Sequence, residues 1–336
     1  MGNIRSTTPE GVTADAHKWS YESQDARYKK YGAPLFKSMS EVAPIDKIEG
    51  EFYQETTAMG LNDIPERTEQ SGIVTGTFTE GFSPVIAVRN RAVDMEMTHE
   101  VKRDFTKATN FLEKSIKENI PELYDIVINK IVTEMFNKGS VVGGNSIYNQ
   151  STRNHAYTPG NLPYDSAEFL SISGTNTIHT NKSGSTYSNG LAALVLNAEN
   201  LDTADILLTA TNAKREDDQP FDNTTGLKCM VSPTYKSKAI RTIRSDFSPD
   251  DANSGGINPM GEKYSGYEII VNPYLTTATS WAIGRAGFGI KLWIGKLKYN
   301  FYLDPKTLDY GCTVNFDYAC GPTNYRFAVG VGFAIA

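Results

Sequence analysis

The sequence predicts an α+β fold, and three features of its pattern indicate this class. Residues 98–138 repeat apolar side chains at three- and four-residue spacing, as a long amphipathic helix does. Residues 51–97 mix β-branched residues with glycines, which is typical of strands joined by turns. The last third of the chain contains several short apolar runs that also read as strands. The 336 residues show no internal repeat, so one or two domains are expected.

The composition excludes several classes of protein. At 39% hydrophobic and 21% charged residues the chain is expected to fold, and the polar residues after Met1 predict no signal peptide. No apolar run approaches the roughly 20 residues that a membrane-spanning helix needs. The net charge of −6 disfavours sequence-specific binding of nucleic acid, although a container for DNA needs no tight grip on phosphates. The three cysteines are predicted to be buried free thiols, with a Cys312–Cys320 bridge as the alternative.

Residues 1–50 are polar and interrupted by prolines, and they contain too few apolar residues to close a core. Two interpretations are open: a disordered tail, or an arm that becomes ordered on a neighbouring subunit. Aromatic residues are scarce in solvated tails and favoured at contacts, so Trp19 and Phe36 favour the arm.

Residues 51–97 are predicted to form a ribbon with strands at 71–82 and 85–93. A two-stranded ribbon is marginal alone in water, so it needs a surface on which to lie. Residues 98–138 then form the helix, which we expect to kink before Pro121 and to end with Gly139 as its C-cap. At about 1.5 Å per residue it would extend roughly 60 Å, the length of a spine across a flat molecule.

The rest of the chain alternates loops, helices and strands. Residues 139–190 are predicted to be loops, 192–213 a helix, 227–233 a buried strand stopped by a proline, and 234–243 a second helix. Further strands are predicted at 267–273, 299–303, 311–318 and 324–333.

The residues that could carry chemistry are few and scattered. His17, His99, His155 and His179 have no His or Cys neighbour at metal-ligand spacing and are interpreted as surface or loop residues. Residues 139–145 lack the Lys-Ser/Thr of a phosphate loop, and the acidic residues 216–218 lack calcium-loop spacing and are interpreted as a solvated loop. The sequence therefore predicts no enzyme, no cofactor and no metal.

The order of the elements and several short motifs resemble tailed-bacteriophage major capsid proteins of the HK-ninety-seven fold, most nearly the Mu-like branch. The resemblance covers roughly residues 60–335, and its most specific motifs are Ile257-Asn258-Pro259-Met260, the run from Tyr267 to Thr276, Trp281, and Gly289-Ile290-Lys291-Leu292-Trp293. The run from Leu227 to Thr234 resembles the family's strand before a helix, and Thr79 to Phe82 resembles the end of its extended loop. Each motif is weak alone, and their order along the chain carries the resemblance.

The resemblance implies a subunit with an N-terminal arm (1–50), an extended β-hairpin loop (51–97), a peripheral domain (98–189 and 289–336) with a spine helix (98–138), and an axial domain (190–288). It implies that the chain forms pentamers and hexamers of an icosahedral head. That head would enclose double-stranded DNA, which would contact its inner face without sequence specificity. The expected partners are further copies of the chain, scaffolding and portal proteins, and possible decoration proteins. The expected location is the virion, after assembly in the cytoplasm of the bacterial host.

Three further features of the sequence concern how subunits would assemble. No lysine occurs between Lys47 and Lys102, so the loop has no nucleophile for the covalent cross-link of some relatives, and a ladder on a reducing denaturing gel would contradict a non-covalent shell. The short first segment predicts a separate scaffolding protein. Charged residues are candidates for ion pairs between subunits, and they are Arg89, Arg91, Asp63, Glu66 and Glu69.

Two other functions compete with the phage capsid. An encapsulin-type compartment shares the fold and would enclose protein cargo. A secreted β-rich adhesin is suggested by the Ser, Thr, Asn and Gly content of residues 170–190, and it is opposed by the expected lack of a signal peptide and by the long helix.

Overall fold

The computed structural model describes residues 45–47, 52–54, 85–98, 126–139, 169–173, 178–245 apart from 182, residue 258, and residues 266–333 apart from 286, 296–297 and 308. The chain divides into two compact units. Unit 1 comprises Met1–Lys37, Arg89–Asn129 and Ile294–Tyr318, and unit 2 comprises Ser38–Val88, Lys130–Trp293 and Ala319–Ala336.

The described residues form strands and helices in the mixture that the sequence predicts. The strands are β1 (Ile45–Lys47), β2 (Phe52–Gln54), β3 (Val85–Ala87), β4 (Arg89–Met97), β5 (His179–Thr180), β6 (Thr186–Tyr187), β7 (Gly190–Leu191), β8 (Leu227–Val231), β9 (Glu268–Val271), β10 (Trp281–Arg285), β11 (Ile290–Ile294), β12 (Lys298–Leu303), β13 (Tyr310–Pro322) and β14 (Ala328–Val331). The helices are α1 (residues 126–137), α2 (Ala198–Ile206) and α3 (Lys236–Arg244).

A five-stranded mixed sheet forms the centre of unit 2, in the order β7-β14-β10-β8-β9. β8 pairs parallel with β9 and antiparallel with β10, and all five of its residues are buried. A strand covered on both faces is expected to be apolar throughout, as Leu227–Val231 nearly is. Trp281, Leu201 and Ile243 are fully buried in the core that this sheet shares with α2 and α3.

α1 places its apolar residues at helical spacing, and Ile128, Ile131, Val132, Met135 and Phe136 are all buried. The remainder of the predicted 98–138 helix lies outside the described residues. The helix ends at residue 137, next to the predicted cap Gly139, whose amide donates a hydrogen bond of 3.0 Å to the Phe136 carbonyl oxygen. Gly139 does not have the positive φ that a glycine C-cap usually adopts. Gly139 is required by packing instead: a Cβ atom there would lie 2.8 Å from the Met135 carbonyl oxygen and 2.9 Å from Cγ of Leu170.

α2 begins six residues later than the predicted 192–213 helix. Residues Gly190–Leu191 form β7, which pairs with β14, so the chain is still extended just before the predicted start. Asn197 then caps the helix, and its Oδ1 accepts a hydrogen bond of 2.8 Å from the Asn200 amide. One π-helical turn, Leu207–Thr211, continues α2 to within two residues of the predicted end at residue 213.

A group of three antiparallel strands, part of a five-stranded sheet, belongs to unit 1. β13 is its central strand over Tyr310–Tyr318, with β12 on one side and β4 on the other. In unit 2, β1 pairs with β11, β2 with β3 and β5 with β6. The three cysteines are buried free thiols as predicted, and the alternative Cys312–Cys320 bridge is wrong. None of the described helices is long and apolar enough to cross a membrane.

Candidate assembly surface

The sheet of unit 1 has two faces of opposite chemistry. Residues that pair across antiparallel strands point to the same face, and the face alternates along each strand. Val314 pairs with Val93 and with Tyr299, and Cys312 pairs with Met95 and Phe301. These six residues therefore share one apolar face. The opposite face carries the polar residues of the same strands, which are Asn90, Asp94, Glu96, Asn300, Tyr302, Thr313, Asn315 and Asp317.

The apolar face is buried at its centre and open at its margins. Cys312 and Val314 are buried against Met95 and Phe301. Val93, Tyr299 and Leu303 are 50%, 38% and 51% exposed, and we call these three residues the apolar strip. Single exposed apolar residues are ordinary, but three on one face of one small sheet form a patch, and such patches mark contacts between proteins.

Two of the residues predicted as assembly contacts lie on the same face as the apolar strip. Arg91 pairs with Phe316 and Arg89 with Tyr318 across β4 and β13. Arg91 is exposed, and its guanidinium carbon lies 5.6 Å from the centre of the Tyr318 ring. This contact holds the arginine beside the strip. The other predicted contacts, which are Trp19, Phe36, Asp63, Glu66 and Glu69, lie outside the described residues.

The polar face is bonded within itself. The Tyr302 hydroxyl donates a hydrogen bond to Asp94 and another of 3.1 Å to Glu96. The bond to Asp94, with burial and the negative charge of both carboxylates, raises the pKa of Tyr302 above its usual range. Asp317 accepts a hydrogen bond of 2.8 Å from Asn90. The carboxylates of the polar face already accept hydrogen bonds from side chains of the same face. The apolar face, in contrast, leaves the three residues of the apolar strip partly exposed at its edges.

The described residues hold no group of three or more His, Cys, Asp or Glu side chains that could bind a metal ion. The interpretation of His179 as a surface residue is wrong. Its side chain is fully buried, and its ring stacks on Tyr325 with centres 3.9 Å apart and planes 5° from parallel. His17, His99 and His155 lie outside the described residues.

Asp218 of unit 2 fastens the β5–β6 hairpin to the loop that follows α2. Its carboxylate accepts hydrogen bonds from Asn181 Nδ2 and Ser185 Oγ, both at 2.6 Å, and from the Ser183 and Tyr187 hydroxyls. We call these five residues the Asp218 clasp. Burial alone would raise the pKa of the Asp218 carboxyl, but the four hydrogen bonds outweigh it and hold the pKa well below its usual range. Burial and the Asp218 carboxylate together raise the pKa of Tyr187 to about 12.

Replacing Asp218 by asparagine is expected to lower the free energy of unfolding by about 1–3 kcal/mol at pH 7, because hydrogen bonds to a charged acceptor are lost. Asp218 has a φ of 63°, which asparagine tolerates, so the change tests the charge and not the backbone. A depressed carboxyl pKa contributes stability that is present above about pH 4 and is lost as the pH falls through the folded-state pKa. The difference in the free energy of unfolding between wild type and variant should therefore become smaller towards pH 2, as measured by urea unfolding at several pH values. A gap of constant size would contradict this assignment.

A buried ion pair lies close to the clasp in sequence. Arg326 Nη1 is 2.8 Å from Glu216 Oε1, and the two side chains are 4% and 2% exposed. The Arg326 guanidinium also lies over the Tyr325 ring at 4.5 Å. The interpretation of residues 216–218 as a solvated loop is therefore wrong for Glu216, because its charge is balanced by an arginine 110 residues away in sequence.

Three residues of the motifs that carry the family resemblance donate hydrogen bonds inside the fold. Asn258 is fully buried and donates to the carbonyl oxygens of Thr242 (2.6 Å) and Ser245 (2.9 Å), which closes the C-terminal end of α3. Asn272 is fully buried and donates to Thr133 Oγ1 at 2.8 Å. Trp281 Nε1 donates to the Leu194 carbonyl oxygen at 3.0 Å. These polar groups satisfy buried backbone and side-chain partners, which explains why such residues stand inside apolar segments.

The structure is similar to solved capsid structures of phages. It matches the capsid of cyanophage P-SCSP1u with a TM-score of 0.52 and 12% identity, over 91% of this chain and 89% of that chain. It matches the capsid of Ralstonia phage GP4 with a TM-score of 0.51 and 9% identity, over 86% and 85%. The chain has the phage capsid fold. No protein-family model and no curated protein matches the sequence.

This likeness confirms the coarse fold that the sequence motifs implied, a mixed α and β fold like that of solved phage capsids, at an identity near one residue in ten. The assignment to the Mu-like branch stays a prediction.

Proposed function

We propose that the chain is the major capsid protein of a tailed phage, a structural subunit that acts by assembling with copies of itself. The observation that carries the proposal is the match to a phage capsid over about nine-tenths of both chains. Because the match extends over both units, it concerns the whole subunit and not one shared motif.

In this proposal the chain forms pentamers and hexamers of an icosahedral head around double-stranded DNA. Residues 1–50 serve as an arm, 51–97 as an extended loop, 98–138 as the spine helix of the peripheral domain, and 190–288 as the axial domain. Scaffolding and portal proteins are its partners during assembly in the host cytoplasm. In the proposal a neighbouring subunit covers the apolar strip of unit 1, because covering it removes apolar area from contact with water.

Replacing Val93 by glutamate is expected to prevent shells from forming while the subunit stays folded. Val93 is 50% exposed, so a charge is tolerated in the free subunit but is buried and unpaired in the interface. The measurement is negative-stain electron microscopy with sedimentation, and circular dichroism verifies the fold.

The matched control is Val195→Glu, because Val195 is 51% exposed and belongs to unit 2. The same change there should leave assembly intact. Normal shells from the Val93 variant would contradict the role of the strip, and loss of shells in both variants would show that the effect is not specific to it.

A further inference from the structure

The exposed face of α3 carries a concentration of positive charge that is unusual for this chain. The whole chain has a net charge of −6, yet the sequence between Asp222 and Asp246 contains three lysines, two arginines and no carboxylate. Lys228 is balanced by Glu268, 3.1 Å away. The other four cations belong to α3, and they are Lys236, Lys238, Arg241 and Arg244.

The packing of α3 directs these cations outward. Ala239, Thr242 and Ile243 are buried against the sheet of unit 2 and occupy one side of the helix. Lys236, Arg241 and Arg244 are exposed, and Lys238 is half-buried with its ammonium 5.7 Å from the centre of the Tyr235 ring. At 100° per residue, Arg241 and Arg244 lie opposite the buried residues, and Lys236 and Lys238 lie at the two edges of the exposed side.

Two of these cations are uncompensated within the part of the chain that the structure describes. Lys236 and Arg241 form no ion pair with any described residue. They are five residues apart, which separates them by about 7.5 Å along the helix axis and about 140° around it. Flexible side chains that flank the exposed side in this way can reach different phosphates of one duplex, and such contacts carry no sequence information.

We propose that this face of α3 binds the phosphate backbone of double-stranded DNA without sequence preference. The identification of DNA as the polyanion rests on the proposed function, because a phage head encloses DNA. The site itself rests on the four cations, their exposure and the lack of carboxylates on the helix. Binding is expected to be weak and strongly dependent on salt, since the rest of the chain is acidic.

The test is fluorescence anisotropy of a short double-stranded DNA of mixed sequence with the purified full-length chain, over a range of salt concentrations. The double variant Lys236→Gln/Arg241→Gln should lower the slope of log affinity against log salt by about two, and lower the affinity roughly hundredfold near 0.05 M salt. Lys238→Gln, on the same face, should lower the slope by about one.

The matched control is Arg215→Gln/Lys306→Gln, which removes the same charges from two exposed positions elsewhere. An equal loss in this control, or no loss in the α3 variant, would overturn the proposal. Binding of wild type to phosphatidylserine vesicles but not to DNA would also overturn it and would assign the face to a membrane.

Electron microscopy of the same samples separates this inference from the proposed function. Wild-type shells combined with a DNA affinity that the α3 substitutions leave unchanged would refute the inference alone. A wild-type chain that never assembles would refute the capsid function, whatever the α3 variants do to DNA affinity.

Discussion

Replacing Gly289 by alanine is expected to destabilise unit 2 by about 4 kcal/mol or more, which places it among the most damaging single changes. Gly289 has a φ of 65°, and a Cβ atom there would lie 1.8 Å from the Asn324 carbonyl oxygen. The clash is with backbone, which cannot rotate away. The Gly289 carbonyl oxygen also accepts hydrogen bonds from the amides of Thr323 (2.7 Å) and Asn324 (3.1 Å), so a shift of this turn breaks both.

Gly226→Ala is the matched control for this change. Gly226 has nearly the same φ, 69°, and a Cβ atom there meets nothing within 4 Å. Its replacement should cost only the backbone strain of a left-handed residue, about 1–2 kcal/mol. Urea unfolding of both variants measures the difference. Equal losses of stability would show that the close approach to Asn324 contributes nothing.

Replacing Glu216 by alanine is expected to lower the free energy of unfolding by about 3–5 kcal/mol, because it leaves the Arg326 charge buried without its carboxylate. The pair is almost completely shielded from water, so solvent cannot replace the lost partner. Chemical denaturation at neutral pH measures the effect. A loss below 1 kcal/mol would mean that Arg326 gains an equivalent partner.

Two further variants isolate the cause of that loss. Lys298→Ala breaks the exposed pair with Asp317, in which the side chains are 67% and 32% exposed, and should cost about 0–1 kcal/mol. The double change Glu216→Leu/Arg326→Met removes both buried charges and should be more stable than either single change. A double variant less stable than both singles would assign the loss to packing.

The elements that could be predicted from the sequence are those whose pattern is local. The buried strand Leu227–Val231 is a short apolar run bounded by a glycine and a proline, and α3 follows directly with a helical pattern. The run that contains Glu268–Val271 is read in the same way. The predicted helix start at residue 192 is wrong because the residues just before it form β7 by pairing with β14. That partner strand lies well over a hundred residues further along the chain.

The candidate surface depends on pairing that the sequence does not display. β4 and β13 are separated by more than 200 residues, and only the register of the three strands places Val93 on the same face as Tyr299 and Leu303, with β13 between them. The Glu216–Arg326 pair and the stacking of His179 on Tyr325 likewise join distant segments, so an acidic loop and a lone histidine looked solvated. Arg89 and Arg91 could be named as candidate contacts because charge in an extended strand is visible locally, and their role stays a prediction. Their position on the same face as the apolar strip could not be predicted.

The measurement that tests the central claim most directly is negative-stain electron microscopy of the purified chain, together with its sedimentation. The capsid assignment predicts closed polyhedral shells, or rings of five and six subunits, that sediment far faster than a single chain. A small homogeneous particle that never assembles, even when phage head proteins are co-expressed, would contradict it.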